Sequence, residues 1–375
     1  MTRDGMTRDG MTRDGMTRDD MTRDDMTRDG MTRDGMTRHA MTRFVRAVVV
    51  SVVCVVMATS VSGCGATHAL LGIHQAPKVR ATSAPLSVDQ AKRILTRAFT
   101  AAYLGETTTG AGAAAALRTA YTGQGLRGVG GRVKLARVQP AVATSPLLAP
   151  HPKLLAVSRG FGFPRFIVAQ TVALEGGLPI LHLLTSPDAA TPYRISMSVD
   201  MVPPATVKPF DPLSQGSPLV TKGRGLAVAP ATLLNIYAAR MAFPAKSVPK
   251  PPFAADSFSG QLRAGAAVVA KAVASQATFI QVHKVVPNSV YAVQQASGDA
   301  LVFGVIERTD SFAVKKGQQV KTAANKAFVL LTGKKSVTKS ASITTLEFVV
   351  FAVPRSTGKA TLVAAREQIV AGSGS

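Results

Sequence analysis

The sequence predicts an α+β protein whose helices and antiparallel strands occupy separate stretches of chain. Three observations predict it. After residue 86 the chain passes twice from helix-type apolar periodicity into a series of β-rich runs. Those runs are divided by Gly, Pro and Asp turns, with a tight hairpin expected at Glu175-Gly176-Gly177. Runs of helices followed by runs of strands favour α+β over a parallel α/β sheet.

The first forty residues are expected to add nothing to that fold. They are eight five-residue units of the form Met-Thr-Arg-Asp-Gly, with departures at Asp20, Asp25, His39 and Ala40. The units hold no aromatic or β-branched aliphatic residue and cannot bury enough surface to offset chain entropy. Residues 1–40 are therefore read as a disordered repeat. Each unit opens on Met, which makes Met41 a candidate start.

From Met41 the pattern is that of an export signal. Arg43 and Arg46 form a basic leader, and Ala47 to Ala58 is an apolar run interrupted only by Ser51. As a helix, that run rises about 18 Å, short of a hydrocarbon core of roughly 30 Å. Residues 41–63 are read as a cleaved signal peptide. The next residues, Val61-Ser62-Gly63-Cys64, resemble the lipobox of bacterial lipoproteins. The resemblance implies diacylglycerol on the Cys64 sulfur, cleavage before Cys64 and acylation of the new amine. It places the protein on the extracytoplasmic face of the cell membrane, with membrane lipid as its first partner. Each buried methylene contributes about 0.8 kcal/mol, so two or three chains suffice for stable attachment. Cys54 and Cys64 are the only cysteines, and Cys54 lies in the segment to be removed. The mature chain then has no internal disulfide and must be held by its core.

Residues 64–85 lack periodicity, contain Pro77 and Pro85, and read as a tether. Ser87 followed by Gln90 is a capping box, and Val88, Ala91, Leu95, Ala98, Phe99 and Ala102 form one helical stripe behind it. A second, Ala-rich helix is expected over Ala113–Tyr121. Strands are expected at Lys153–Ser158, Arg165–Leu174, Leu178–Thr185 and Tyr193–Val202, completing a first domain over 86–205. Residues 206–229, rich in Pro, Gly and Ser, read as a linker. A second domain, 230–371, repeats the order. Helices are expected at Pro230–Met241, with Pro in its first turn, and at Ser259–Ala277. Strands follow at Thr278–Val286, Ser289–Gln295, Ala300–Arg308, Ala327–Leu331, Ile343–Val353 and Ala360–Ile369. This order resembles tandem NTF2-like (cystatin-like) domains, in which helices pack on a curved antiparallel sheet. With its Ala/Gly/Arg/Val-rich composition, the chain from 87 to 370 resembles uncharacterised lipoproteins of high-GC Gram-positive bacteria. Proteins of that fold include enzymes, ligand carriers and interaction modules, so the fold alone leaves function open.

Motifs that would carry chemistry are sparse. Gly123-Gln124-Gly125-Leu126-Arg127-Gly128 matches G-x-G-x-x-G but lacks the strand before it, the helix after it and the acid downstream that a dinucleotide site needs. It reads as a flexible loop. Gly333-Lys334-Lys335-Ser336 lacks the upstream glycine of a phosphate loop. His68, His74, His151, His182 and His283 are scattered, so no metal site is expected. His182 and His283 fall in strand runs and read as satisfied histidines. Glu307 and Asp310 stand at the end of a strand run and read as turn residues. No catalytic residue and no cofactor can be named, and the protein is expected not to be an enzyme.

Charge is the remaining signal. Residues 1–63 hold ten Arg and nine Asp, leaving 34 basic and 12 acidic residues from Cys64 onward, a net charge of +22. Such a balance favours anionic lipid or wall polymer. Lys315, Lys316, Lys334 and Lys335 are the expected contacts for an anionic surface. Aromatics make up 5% of the chain and Trp is absent, so the interleaved rings of a nucleic-acid site are missing and no nucleic acid is expected. The leading expectation is a non-catalytic binding or interaction module at the cell envelope. The alternatives are a carrier of an apolar small molecule or lipid and, behind it, a hydrolase or isomerase.

Overall fold

The computed structural model describes residues 82–139, 152–172, 177–247 and 250–375. The pentapeptide repeat, the signal segment, Cys64 and the tether through residue 81 lie outside them, as do His68, His74, His151 and residues 173–176 of the expected hairpin turn. Ser87 starts helix α1, Val88–Thr107. Its hydroxyl accepts from the Gln90 N–H at 3.2 Å while its own N–H donates to Gln90 Oε1 at 2.8 Å, satisfying two groups that the first turn leaves open. The stripe read from the sequence is the buried face: Ala91, Leu95, Ala98, Phe99 and Ala102. Helix α2 covers Ala111–Ala120.

The G-x-G-x-x-G stretch is not a loop. It opens a 14-residue helix, α3, Gly123–Ala136. Gly125, Gly128 and Gly131 recur every third residue and share a face. A Cβ on Gly125 would lie 2.7 Å from the carbonyl oxygens of Ile195 and Ser196, one on Gly128 would lie 3.0 Å from the Phe348 ring, and one on Gly131 would collide with the Ile369 carbonyl. Each interior glycine costs a helix about 1 kcal/mol relative to Ala. Here that cost is offset by packing the helix directly against strand backbone, with Val129 and Leu135 buried beside it.

Sheet I is an antiparallel meander of β1, Lys153–Val157, β2, Arg165–Thr171, β3, Ile180–Ser186, and β4, Arg194–Asp200, in that order. Alternation sends Ile167, Ala169, Ile180, Leu184 and Ile195 toward α1–α3, and Phe166, Val168, Leu181, Leu183, Met197 and Val199 to the opposite side. Every residue of β3 is buried, as a strand covered on both faces requires.

Helix α4, Pro230–Met241, has proline in its first turn as expected. Helix α5 spans Ser257–Val273. Sheet II follows: β5, Ala277–Val285, β6, Tyr291–Gln294, β7, Ala300–Val314, β10, Ser340–Val353, and β11, Thr361–Gly374, in the order β11-β10-β7-β5 with β6 also on β7. Two short strands, β8, Val320–Lys321, and β9, Ser336–Val337, pair with each other. Between them the expected strand at Ala327–Leu331 is instead helix α6, Lys326–Thr332. Asn325 caps it by accepting from the Phe328 N–H at 2.9 Å, and Gly333 closes it at φ 71°, a left-handed conformation that glycine adopts without strain. Glu307 and Asp310 do not close a strand either; both lie inside β7.

The sheets face each other. Phe166, Leu181, Leu183 and Met197 of sheet I share one apolar cluster with Leu301, Phe303, Val305, Phe348 and Val350 of sheet II. Helices α1–α3 cover the outer face of sheet I, and α4 lies on that of sheet II. The stretch 206–229, expected as a linker, is bonded to both sheets. Arg159 N–H donates to Ser217 O at 2.9 Å, Gln294 N–H to Pro218 O at 3.0 Å and Ala227 N–H to Pro354 O at 2.9 Å. Val79–Ser375 accordingly forms one compact unit.

Candidate ligand cavity

Helix α5 meets the sheet less closely than α4 does. Phe258, Leu262, Ala266, Val269 and Val273 recur at helical spacing and form an apolar stripe, yet only Ser259 and Ala266 of α5 are buried. The helix is pinned at its ends. Asp256 caps the N-terminus, accepting from Ser259 N–H at 2.7 Å, from the Ser259 hydroxyl at 2.9 Å and from the Tyr237 hydroxyl of α4 at 3.0 Å. Beyond the C-terminus Lys315 Nζ donates to Ala274 O at 2.6 Å. Between these ties lies a cavity of about 600 Å³, walled by Leu262, Ala266 and Val269 of the helix and by Phe279, Phe312 and Ile343 of the sheet. That volume falls within the range of small-molecule sites.

The polar part of the lining comes from sheet II, where Gln281, Arg308, Asp310 and Glu367 reach the cavity. Register assembles the group: His283 lies across from Arg308, Gln281 from Asp310 and Glu347 from Glu367. Two directly opposed glutamates repel, and Arg308 bridges them. Its guanidinium donates to Glu347 Oε1 at 3.2 Å, to Asp310 Oδ2 at 3.2 Å, and closely to Glu367. Beneath, His283 Nδ1 is 3.0 Å from Glu347 Oε2 and its Nε2 is 3.1 Å from Gln281 Oε1, while Gln281 Nε2 donates to Asp310 Oδ1 at 2.8 Å. The Asp310 carboxylate fixes the Gln281 amide, so Gln281 Oε1 must accept from His283 Nε2–H. The other ring nitrogen, Nδ1, faces the Glu347 carboxylate, and both side chains are fully buried. Arg308 is thus set against three carboxyl groups, those of Glu347, Asp310 and Glu367, inside a strongly basic protein.

Burial lifts the Glu367 carboxyl above the usual carboxylate range; Arg308 pulls it back and Glu347 adds to the rise. Burial works against the charge on Arg308, but Glu367, Asp310 and Glu347 outweigh it and hold the guanidinium above its ordinary value. Glu347 is sealed at 0% side-chain exposure, whereas Glu367 is 39% exposed and lines the cavity.

The structure places the residues singled out from the sequence as follows. Lys315 and Lys316 follow β7, and Lys334 and Lys335 follow α6. The Lys335 and Lys334 carbonyls accept from Thr322 N–H and Oγ1 at 2.9 and 2.8 Å. Lys315 commits its ammonium to the end of α5. Glu307 pairs with Arg127 of α3 at 2.5 Å. His182 is a satisfied core residue, with Thr171 Oγ1 2.8 Å from Nε2, Ser198 Oγ 2.9 Å from Nδ1 and the Phe99 ring edge-on at 4.8 Å. Burial, reinforced by Arg366 and Arg132, pushes its pKa down to about 3. His283 is also satisfied, but as part of the cavity cluster. Sequence reasoning names no carboxylate pair and passes over Arg308, Glu347 and Glu367, because they lie on three different strands. Among the described residues, no group of His, Cys, Asp and Glu is placed to hold a metal ion, and no helix is long and apolar enough to cross a membrane.

No family model matches the chain, and no curated protein or solved structure matches it.

Proposed function

We propose that the chain is a membrane-anchored extracytoplasmic lipoprotein that binds a small, mostly apolar molecule beneath α5. Each half is read as an NTF2-like layer of helices on an antiparallel sheet. The observation that carries this reading is the cavity of about 600 Å³ between an apolar helix stripe and sheet II. Its polar lining predicts the ligand chemistry. Three carboxyl groups around one arginine, with Glu367 at the wall, favour an apolar body carrying a hydrogen-bond donor or a protonated amine near Glu367. The basic exterior, with Lys316, Lys334 and Lys335, serves to hold the body against anionic lipid or wall polymer.

The test uses a dansyl alkylamine and its N-acetylated neutral twin. The protein should bind the amine more tightly than the twin. Gly265→Leu, which adds a side chain where a Cβ meets nothing within 4 Å, should weaken both by filling the cavity. Binding that is absent, or indifferent to Gly265→Leu, contradicts the reading.

One observation favours a second reading, proton transfer to or from the bound molecule. Glu367 holds a carboxyl with a raised pKa at the cavity wall, as a general acid requires. This reading predicts that ligand recovered from the protein is altered on incubation with the native chain and left unaltered by Glu367→Gln.

A further inference from the structure

A feature unrelated to the cavity stands at one end of sheet I. The hairpin joining β1 to β2 ends in Gly160-Phe161-Gly162-Phe163-Pro164, and it exposes 65% of Phe161 and 39% of Phe163. The tip is held in this shape. Arg165 lies over the Phe163 ring at 4.3 Å and its NH2 donates to Phe161 O at 3.0 Å. At the root, Arg159 donates through Nε to Gly216 O at 3.0 Å and pairs with Asp211 at 2.9 Å. The backbone at Phe161 and the ring of Phe163 are thus held in place, and the two exposed rings gain nothing from water unless something covers them.

We propose that this tip is a membrane-contacting loop that seats Phe161 and Phe163 in the interfacial layer of an anionic bilayer. Where the chain enters the body is the first argument. Gly160 N–H donates to Ser83 O at 3.0 Å, so the tip sits beside the first described residues of the chain. Only 18 residues, Cys64 to Ala81, precede that point after the lipobox. Eighteen residues span at most about 65 Å even when fully extended, which bounds how far this end of sheet I can stand from the leaflet. Charge is the second argument. Arg165 lies at the tip, and exposed Lys222 shares a surface hollow with Pro164. Aromatic rings next to cations suit the headgroup layer, where the ring finds an apolar boundary and the cation a phosphate. The proposal rests on the anchored reading only for the distance of approach.

The chain has no Trp, so Phe161→Trp supplies a single reporter, and Tyr103→Trp, at a half-exposed site on α1, supplies the control. Each full-length variant is placed in phosphatidylglycerol-rich vesicles with and without brominated acyl chains. The expected result for Phe161→Trp is a blue-shifted emission quenched at least twofold by bromine, with the emission of Tyr103→Trp unaffected. Replacing both Phe161 and Phe163 by Ser in the Cys64→Ala background should lower vesicle partition at least tenfold. A Phe161→Trp variant that floats with the vesicles yet is unquenched overturns the tip and leaves the Cys64 anchor standing. Weakened but measurable vesicle partition of Cys64→Ala, with Phe161→Trp quenched in the otherwise native chain, supports both. A full-length protein that does not float at all overturns both, and a blue shift that grows with protein concentration in the absence of lipid overturns the bilayer in favour of a second copy.

Discussion

Adjacent glycines of α3 should respond to the same substitution with opposite sign. Gly130→Ala places a methyl where nothing lies within 4 Å. It should therefore stabilise by the helix-propensity difference, about 1 kcal/mol. Gly131→Ala gains the same propensity but drives its methyl into the Ile369 carbonyl, a backbone atom of β11 that cannot swing aside. Because propensity cancels between the two variants, their difference isolates the collision, and overpacking of this kind costs about 1–3 kcal/mol. Gly131→Ala should thus be less stable than Gly130→Ala by about that amount, and no more stable than the parent. Urea unfolding followed by far-ultraviolet dichroism measures it, compared at equal m-values so that only the folded state is being read. Equal stabilisation by both substitutions would mean that α3 does not rest on β11, and the explanation given for its glycines would fail.

Three further outcomes are expected. His182 is held near pKa 3 by burial, Arg366 and Arg132; a depressed pKa gives stability that is present above the unfolded value of about 6.5 and lost as pH falls toward the folded one. Between pH 7.5 and pH 5 the parent should lose about 2 kcal/mol more than His182→Gln, measured by urea unfolding, and parallel curves would contradict this. Arg308→Met strands Glu347, Asp310 and Glu367 without their cation, so it should cost about 3–5 kcal/mol at neutral pH, measured by urea unfolding, and less in acid, where the raised Glu367 carboxyl takes up a proton; a loss below about 1 kcal/mol would remove Arg308 from its bridging role. For the anchor, intact mass of the membrane form should give a chain beginning at Cys64 with two or three acyl chains. Cys64→Ala should lack that modification, and a mature N-terminus elsewhere would refute the assignment.

Local rules make much of the fold legible. The Ser87–Gln90 box and Pro230 at the head of α4 act within one turn, so their effect is visible without tertiary information. The strands of both sheets can be read because β-rich runs are divided by Gly, Pro and Asp turns. Helix α3 escapes such a reading because its three face glycines oppose helix formation locally, and their justification lies on β4, β10 and β11. The apolar run Ala327–Leu331 suits a strand or a helix equally; Asn325 and Gly333, which flank it, decide for the helix. The cavity cluster is illegible because Arg308, Glu347 and Glu367 are brought together only by strand register. One trace is present: Glu347 falls on the buried face of β10 between Thr345 and Val349, a position where an apolar residue is expected and a charge demands a partner.

A ligand held beneath α5 should travel with the protein when it leaves the membrane. Native mass spectrometry of the protein extracted from its own membranes, beside Gly265→Leu treated identically, reads this out. The expected spectrum shows a bound mass of small-molecule size on the native protein, additional to any acyl modification, and lost or sharply reduced in Gly265→Leu. A native protein that carries no such mass, or a mass retained in full by Gly265→Leu, would contradict the proposed function.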